Sequence, residues 1–128
     1  MLLALWASSG GKLTSIHLQT ANDLAAATGD PVQIVICQNS KCCQVQLGDR
    51  SKTRGTFHEF LNQDLGECEN SEWSMQPFTL VRLDHVSGSD GYRASWIKLF
   101  RSLQGQTNCP VHDWIDDAGH LDLSCTQN

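Results

Sequence analysis

The fold class is decided by one stretch: Val32-Gln33-Ile34-Val35-Ile36-Cys37, then the turn Gln38-Asn39-Ser40-Lys41, then Cys42-Cys43-Gln44-Val45-Gln46-Leu47. The first segment is rich in β-branched residues, which favour a buried central strand. The turn is polar, and a second segment of strand-like pattern follows it at once. This arrangement predicts a β-hairpin in which the second strand returns antiparallel to the first.

Working outward from this hairpin, short strand-like segments recur on both sides of it and are separated by turn residues. Their pattern predicts a series of short strands, since the chain shows no long amphipathic helix. The chain also contains no repeat. Counted with the hairpin, they give about eight strands, the pattern of an all-β antiparallel sandwich. The segments are Leu13–Thr20, Thr56–Leu61, Phe78–His85, Ala94–Phe100, and a last hairpin made of Thr107–Trp114 and His120–Cys125.

The chain holds six cysteines, an even number in a small protein, which favours three disulfides and an oxidising compartment. Zinc is the rival reading, but zinc ligands usually come as two close pairs, and here only Cys42 and Cys43 are close. Two cysteine pairs flank predicted turns, one around Asn39-Ser40 and one around Asp117. Sequence alone leaves the connectivity open, and the pairing expected from the turns is Cys37–Cys42, Cys43–Cys68 and Cys109–Cys125.

The length and charge of the chain limit its partners. A chain of 128 residues with net charge −5 is one domain, and it lacks the clustered Lys and Arg that hold nucleic acid or anionic membranes by bulk charge. No apolar run is long enough to span a bilayer. Residues 1–11 carry the apolar run Met1–Ala7, which is interpreted as a signal-peptide remnant or a flexible N-terminus. Residues 12–128 are assigned to the sandwich, and the protein is expected to be secreted.

The order of several motifs resembles the PLAT/LH2 domain, the β-sandwich attached to lipoxygenases, pancreatic-type lipases and polycystin-family proteins. Each motif is weak alone, and the resemblance rests on their shared order over residues 12–116. The chain departs from the family pattern in two ways: a longer polar insertion, Glu67–Gln76, follows Gly66, and the chain has six cysteines. The matching segments are Ser15–Thr20, Ala27–Asp30, Val32–Ile36, Asp64–Gly66, Leu80–Gly88, Trp96–Phe100 and Cys109–Asp116.

The resemblance implies a secreted, non-catalytic module that binds a lipid or membrane surface, or an extracellular protein. Some members of the family hold Ca²⁺ in end loops, so calcium-assisted binding is expected here. The alternative is that the Asp and Asn residues of these loops only cap turns. Membrane contact in the family uses exposed apolar loop tips, and Trp73 is the candidate for that role or else a cap on the core. Trp96 and Trp114 are expected in the core. The candidate calcium ligands are Asn22, Asp23, Asp30, Asp84 and Asp90.

The sequence does not favour an enzyme. Asp84-His85 and His112-Asp113 place an acid beside an imidazole, but neighbouring residues of a strand point to opposite faces, so neither pair is a dyad. No serine lies in a nucleophile elbow, and oxidised cysteines cannot act as nucleophiles. The alternatives are a secreted signalling or lectin-like recognition protein on the same sandwich and, with less support, a small hydrolase or toxin.

Overall fold

Two antiparallel β-sheets pack face to face in the computed structural model, which describes residues 9–23, 26–88, 90–103, 105–115 and 119–127. The described part of the chain contains ten strands, so the predicted all-β sandwich is confirmed and the predicted count of eight is wrong. Two strands were too short for their pattern to be recognised, β5 and β10. The strands are β1 Ser9–Thr20, β2 Val32–Gln38, β3 Lys41–Gln46, β4 Phe57–Phe60, β5 Glu72–Ser74, β6 Leu80–His85, β7 Ala94–Arg101, β8 Gln106–Pro110, β9 His120–Asp122 and β10 Thr126–Gln127.

The larger sheet has the strand order β10-β8-β7-β1-β4, with β5 paired to the first part of β1, and the smaller sheet has the order β3-β2-β6-β9. The predicted hairpin is confirmed, since β2 pairs with β3 from Gln33 opposite Gln46 to Gln38 opposite Lys41. Two short 3-10 helices, Asp49–Lys52 and Asn62–Cys68, flank β4. They lie at the side of the sandwich where the edge strands β3 and β4 leave the two sheets open.

The core lies between the sheets and is built from alternate residues of the long strands. Ile34 and Ile36 of β2 and Ile97 and Leu99 of β7 are fully buried. Burial of each such side chain contributes about 1.5–3 kcal/mol, so the apolar stripe of every strand sets which face turns inward. The core also includes Ile16, Leu18, Val32, Val45, Leu65, Leu83 and Tyr92.

The last predicted hairpin is wrong in its topology. β8 pairs with β7 and β10 in the larger sheet, whereas β9 pairs with β6 in the smaller sheet. The chain therefore crosses between sheets, and residues 116–118, which include the predicted turn at Asp117, lie outside the described residues. The register survives this crossing, because Asn108 lies opposite Thr126 and so places Cys109 beside Cys125.

Three disulfides are present and join the expected pairs: Cys37–Cys42 across the β2–β3 turn, Cys109–Cys125 between β8 and the segment before β10, and the remaining pair Cys43–Cys68. All six cysteines are used, which leaves no thiolate for zinc. The Cys43–Cys68 bond ties the second 3-10 helix to edge strand β3. Three disulfides in a small chain fit an oxidising, extracytoplasmic compartment.

Trp73 lies in the core, so its expected position at an exposed loop tip is wrong. The segment around it forms β5 and pairs with β1, with Gly11 opposite Trp73. The indole is 3% exposed, and its ring meets that of Phe78 edge-on at 5.1 Å. The polar residues around Trp73 suggested a loop, but strand pairing turns the indole inward, where its large apolar area is removed from water.

The first strand begins earlier than the predicted domain boundary at residue 12. β1 starts at Ser9, and its first residues pair with β5. The apolar segment interpreted as a signal remnant, Met1–Ala7, lies outside the described residues. In the described part of the chain, no helix is both long and apolar enough to cross a bilayer.

Candidate functional site

Asp30 is the centre of a hydrogen-bonded cluster between two end loops. Its Oδ2 accepts a hydrogen bond from the backbone N–H of Asp90 at 2.8 Å and lies 3.1 Å from Nε2 of His85. The buried side chain of Lys52 donates from Nζ to the backbone oxygen of Asp30 at 2.6 Å. Gly88 has a φ of +95°, and a Cβ there would lie 2.3 Å from the Asp30 carboxylate, so the loop requires glycine at that position.

The other predicted calcium ligands do not join this cluster. Asp84 accepts a hydrogen bond from Nε of Arg82 at 2.7 Å, and Asp23 accepts one from Arg93 at 2.8 Å. Asn22 is exposed beside Asp23. Of the five candidates, the structure brings together only Asp30 and Asp90, and Asp90 contributes its backbone rather than its carboxylate.

Asp30, where calcium was predicted, already makes hydrogen bonds within the protein. Ca²⁺ takes six to eight oxygen ligands, and carboxylates supply most of its charge balance. Here the Asp30 carboxylate is engaged by His85 and the Asp90 amide, and the Lys52 ammonium lies against the carbonyl of the same residue. The described residues contain no group of three or more His, Cys, Asp or Glu that could hold a metal ion.

The acid–imidazole neighbours do not act together as a pair. Asp84 lies on the outer face of β6 and pairs with Arg82, whereas His85 is buried and contacts Asp30. The carboxylate of Asp113 accepts a hydrogen bond from the backbone N–H of Trp114 at 2.8 Å. Asp84 and His85 therefore alternate between the outer and the buried face of β6, and all six sulfurs are held in disulfides.

An aromatic face covers the outer surface of the larger sheet. We use this name for Phe57 of β4, His17 of β1, and Trp96, Lys98 and Phe100 of β7. On β7 the residues between them point into the core, so these three side chains necessarily point outward. Phe57 is 52% exposed, the largest exposed aromatic fraction in the described core and sheets.

The members of the aromatic face contact one another across three strands. The His17 ring centroid lies 4.5 Å from that of Phe100 and 5.3 Å from that of Phe57, and Phe57 lies 6.0 Å from Trp96. Lys98 places its ammonium 4.7 Å from the Trp96 ring centroid, a cation–π contact. The result is an amphipathic surface in which Lys98 lies among the rings, opposite His17, and the Glu59 carboxylate lies 2.8 Å from Nε2 of His17.

The expectation that Trp96 lies in the core is wrong. Ile97 and Leu99 fill the core side of β7, so Trp96 is half-buried on the opposite side, among its aromatic neighbours. The sequence carried the signal that identifies this face: Trp96, Lys98 and Phe100 alternate with Ile97 and Leu99. Their partners His17 and Phe57 could not be found from sequence, because they meet β7 only through strand pairing.

A cleft of about 700 Å³ opens at the side of the sandwich, between edge strands β3 and β4 and the two 3-10 helices. Its lining combines polar and apolar surface, and the rings of His58 and Phe60 of β4 meet edge-on at 4.5 Å. Among the described lining residues three are carboxylates and none is a lysine or arginine. The polar lining side chains include Gln44, Asp49, His58, Gln63, Asp64 and Glu67.

Solved structures similar to this chain are known at low sequence identity. A lipoxygenase variant superposes with a TM-score of 0.68 and 14% identity, over 89% of this chain and 16% of its own. The alpha toxin of Clostridium absonum gives a TM-score of 0.68 and 15% identity over 90% of this chain and 32% of its own. The alpha-toxin of Clostridium perfringens gives 0.66 and 12%, over 92% and 33%.

The fold is a PLAT/LH2-like β-sandwich. The chain spans about a sixth of the lipoxygenase and about a third of the toxins, so the likeness concerns one part of each of those proteins. No family model matches the sequence, and no curated protein matches it. The likeness therefore establishes the PLAT-like architecture, and the function has to be argued from the residues of this chain.

Proposed function

We propose that this PLAT-like domain is a secreted, non-catalytic module that binds a lipid surface through its aromatic face. The observation that carries the proposal is the outward cluster of Phe57, Trp96 and Phe100 on a sheet whose other face already fills the core. Cross-strand ring contacts stabilise the sheet only modestly, about 0.2–1 kcal/mol each, so folding alone is a weak reason for three aromatic rings on the outer face. Contiguous exposed apolar surface usually marks a binding site.

A lipid surface suits the chemistry of this face. Indole and phenyl rings partition into the region between lipid headgroups and acyl chains, because they combine an apolar body with tolerance of a polar neighbour. Lys98 lies over the Trp96 ring, and a long lysine side chain can extend its ammonium to headgroup phosphates while its methylene stem packs on apolar surface.

The overall charge indicates which lipid surface is expected. A net charge of −5 opposes adsorption to anionic membranes, so binding must come from apolar contact, and zwitterionic vesicles are the appropriate partner. The lipoxygenase to which the chain is similar has also been determined in complex with arachidonate, a fatty acid. That ligand belongs to the lipoxygenase, and it supports only the general association of this fold with proteins that meet lipids.

Calcium assistance, predicted from the family resemblance, stays a prediction. The positions of Lys52 and His85 around Asp30 argue against it. We therefore expect the aromatic face to bind vesicles equally well with and without Ca²⁺.

Sedimentation of the full chain with phosphatidylcholine vesicles tests the proposal. Binding is compared in about 1 mM Ca²⁺ and in excess chelator. The expected result is saturable binding that is the same under both conditions. Failure to sediment with either zwitterionic or anionic vesicles would reject the lipid proposal and leave an extracellular protein as the partner of the aromatic face. Binding only with Ca²⁺ would move the site to the Asp30 loops.

A further inference from the structure

A second binding site is suggested by the cleft between β3 and β4, on a different side of the molecule from the aromatic face. Its volume of about 700 Å³ lies within the usual range for small-molecule sites, roughly 300–1,000 Å³. Nothing in the proposed lipid function uses it. The question is which ligand chemistry its walls can satisfy.

The walls of the cleft are held in place covalently and by packing. The Cys43–Cys68 disulfide joins β3 to the second 3-10 helix, and Leu65 of that helix is buried. Glu67 accepts a hydrogen bond from the backbone N–H of Gln44 at 3.0 Å, which covers part of the open strand edge. A site formed before its ligand arrives loses little conformational entropy on binding.

Several polar groups of the cleft remain available to a ligand. Among the described residues, no side-chain hydrogen bond engages Gln44, Gln63 or Asp64, and Glu67 uses one oxygen on the backbone of Gln44. The amides supply both donors and acceptors, and the carboxylates supply acceptors. The cleft therefore offers donors and acceptors side by side.

The charges and hydrogen-bonding groups exclude most ligand classes. The carboxylates of Asp49, Asp64 and Glu67 repel phosphates, sulfates and acidic sugars, and the described part of the cleft wall offers one ion pair to a lysine, Lys52 at 3.7 Å from Asp49. An apolar ligand would strip water from these groups without replacing its hydrogen bonds. An ammonium or guanidinium group donates but does not accept, so it would leave the amide N–H groups unpaired.

We propose that this cleft binds a neutral oligosaccharide. Each sugar hydroxyl donates one hydrogen bond and accepts others, so adjacent hydroxyls can donate to the carboxylates of Asp64 and Glu67 while accepting from the amides of Gln44 and Gln63. Hydrogen bonds from hydroxyls to carboxylates are among the stronger ones available to an uncharged ligand. The partly exposed ring of His58 on the wall of the cleft supplies contact for the sugar's C–H groups.

The test is an array of neutral oligosaccharides rich in galactose, mannose and N-acetylhexosamine, with sialylated and sulfated counterparts and an oligolysine peptide, followed by calorimetry on the best neutral ligand. We expect binding of at least one neutral oligosaccharide and weaker binding of its acidic counterparts. Asp64→Ala should weaken the affinity at least tenfold, about 1.4 kcal/mol, because a charge-assisted hydrogen bond is lost. Asp122→Ala, which removes an exposed carboxylate from β9, is the control and should leave the affinity within about twofold.

The proposal is overturned if no neutral oligosaccharide binds, if oligolysine binds in their place, or if Asp64→Ala binds sugar as tightly as the unaltered protein. Thermal melting of both variants establishes that they are folded. The two proposed sites can fail separately, since Phe57→Ser should keep sugar binding and Asp64→Ala should keep vesicle binding.

Discussion

The ammonium of Lys52 donates a hydrogen bond to the backbone oxygen of Asp30 at 2.6 Å, and this buried contact joins the first 3-10 helix to the end loop. The contact places a cation where the family resemblance predicted calcium. It also gives the backbone carbonyl of Asp30, which lies outside the strands, a hydrogen-bond donor. Stability and metal response at this end of the sandwich both follow from it.

Lys52→Met should destabilise the protein by about 1–3 kcal/mol, because the Asp30 carbonyl loses its hydrogen bond while the methylene stem is still packed. Urea unfolding followed by fluorescence measures the change. Lys12→Met alters an exposed lysine and should change stability by no more than about 0.5 kcal/mol. Equal effects of the two variants would show that the Lys52 contact does not stabilise the loop.

The disulfides should contribute unequally, in the order of their loop lengths. Replacing Cys43 and Cys68 by Ser opens a separation of 25 residues and should cost about 3.5 kcal/mol, while Cys37→Ser with Cys42→Ser opens one of 5 and should cost about 2 kcal/mol. The intact mass of the unaltered protein should lie six hydrogens below that of the reduced chain. Free thiols in the native protein, or a reversed order of stability losses, would contradict the pairing.

Tyr92 should make the protein sensitive to alkali. Its hydroxyl is fully buried beside Thr20 Oγ1 at 2.6 Å, and burial raises the pKa of Tyr92 from 10.0 to about 12 even though the Thr20 hydrogen bond lowers it. The unfolded chain then loses the phenolic proton before the folded one, so this stabilisation is complete below pH 10 and is lost as the pH rises through the folded pKa. The full loss is about 2.7 kcal/mol for a difference of roughly two units.

Absorbance near 295 nm measures the Tyr92 titration directly, since the chain contains one tyrosine. The midpoint is expected near 12 in the folded protein and near 10.0 in denaturant. Tyr92→Phe should remove this contribution to the pH dependence of unfolding above pH 10. A folded-state midpoint at the ordinary value would place the phenol in contact with water.

Trp73 and Trp96 should give opposite results. Trp73→Ala should cost about 3–5 kcal/mol of stability, because it empties a core position. Trp73→Phe is the milder substitution and serves if Trp73→Ala does not fold. It should leave vesicle binding unchanged. Trp96→Ala should instead weaken vesicle binding and cost less stability, since its indole is only half-buried. Loss of vesicle binding in Trp73→Phe would contradict the assignment of the two tryptophans.

The sandwich was predictable from sequence because its information is local. The β-branched run of Val32 to Cys37 and the polar turn after it determine one hairpin, and cysteines beside turns mark cross-strand neighbours. The same reasoning failed for Trp73, whose polar neighbours hide a strand of three residues, Glu72–Ser74. It failed again for the last hairpin, because strand pattern does not reveal which sheet a segment joins.

The sites were harder to predict because they depend on distant pairing. Asp30 was singled out from the sequence only as a candidate calcium ligand, and its partners His85 and Lys52 come from other parts of the chain. The aromatic face needs β1, β4 and β7 side by side, and the cleft needs two sheet edges and two 3-10 helices. Neither the composition of the chain nor the alternation of apolar and polar residues indicates which strands and helices become neighbours.

Vesicle partitioning of matched variants tests the central claim most directly. Phe57→Ser removes a side chain of the aromatic face that is 52% exposed on edge strand β4, and Leu103→Ser removes one that is 66% exposed on the turn after β7. If the aromatic face binds lipid, Phe57→Ser should lower the partition coefficient for phosphatidylcholine vesicles about tenfold, because part of a buried phenyl group is lost. Leu103→Ser should leave the partition coefficient nearly unchanged. Equal partitioning of Phe57→Ser and the unaltered protein would contradict it.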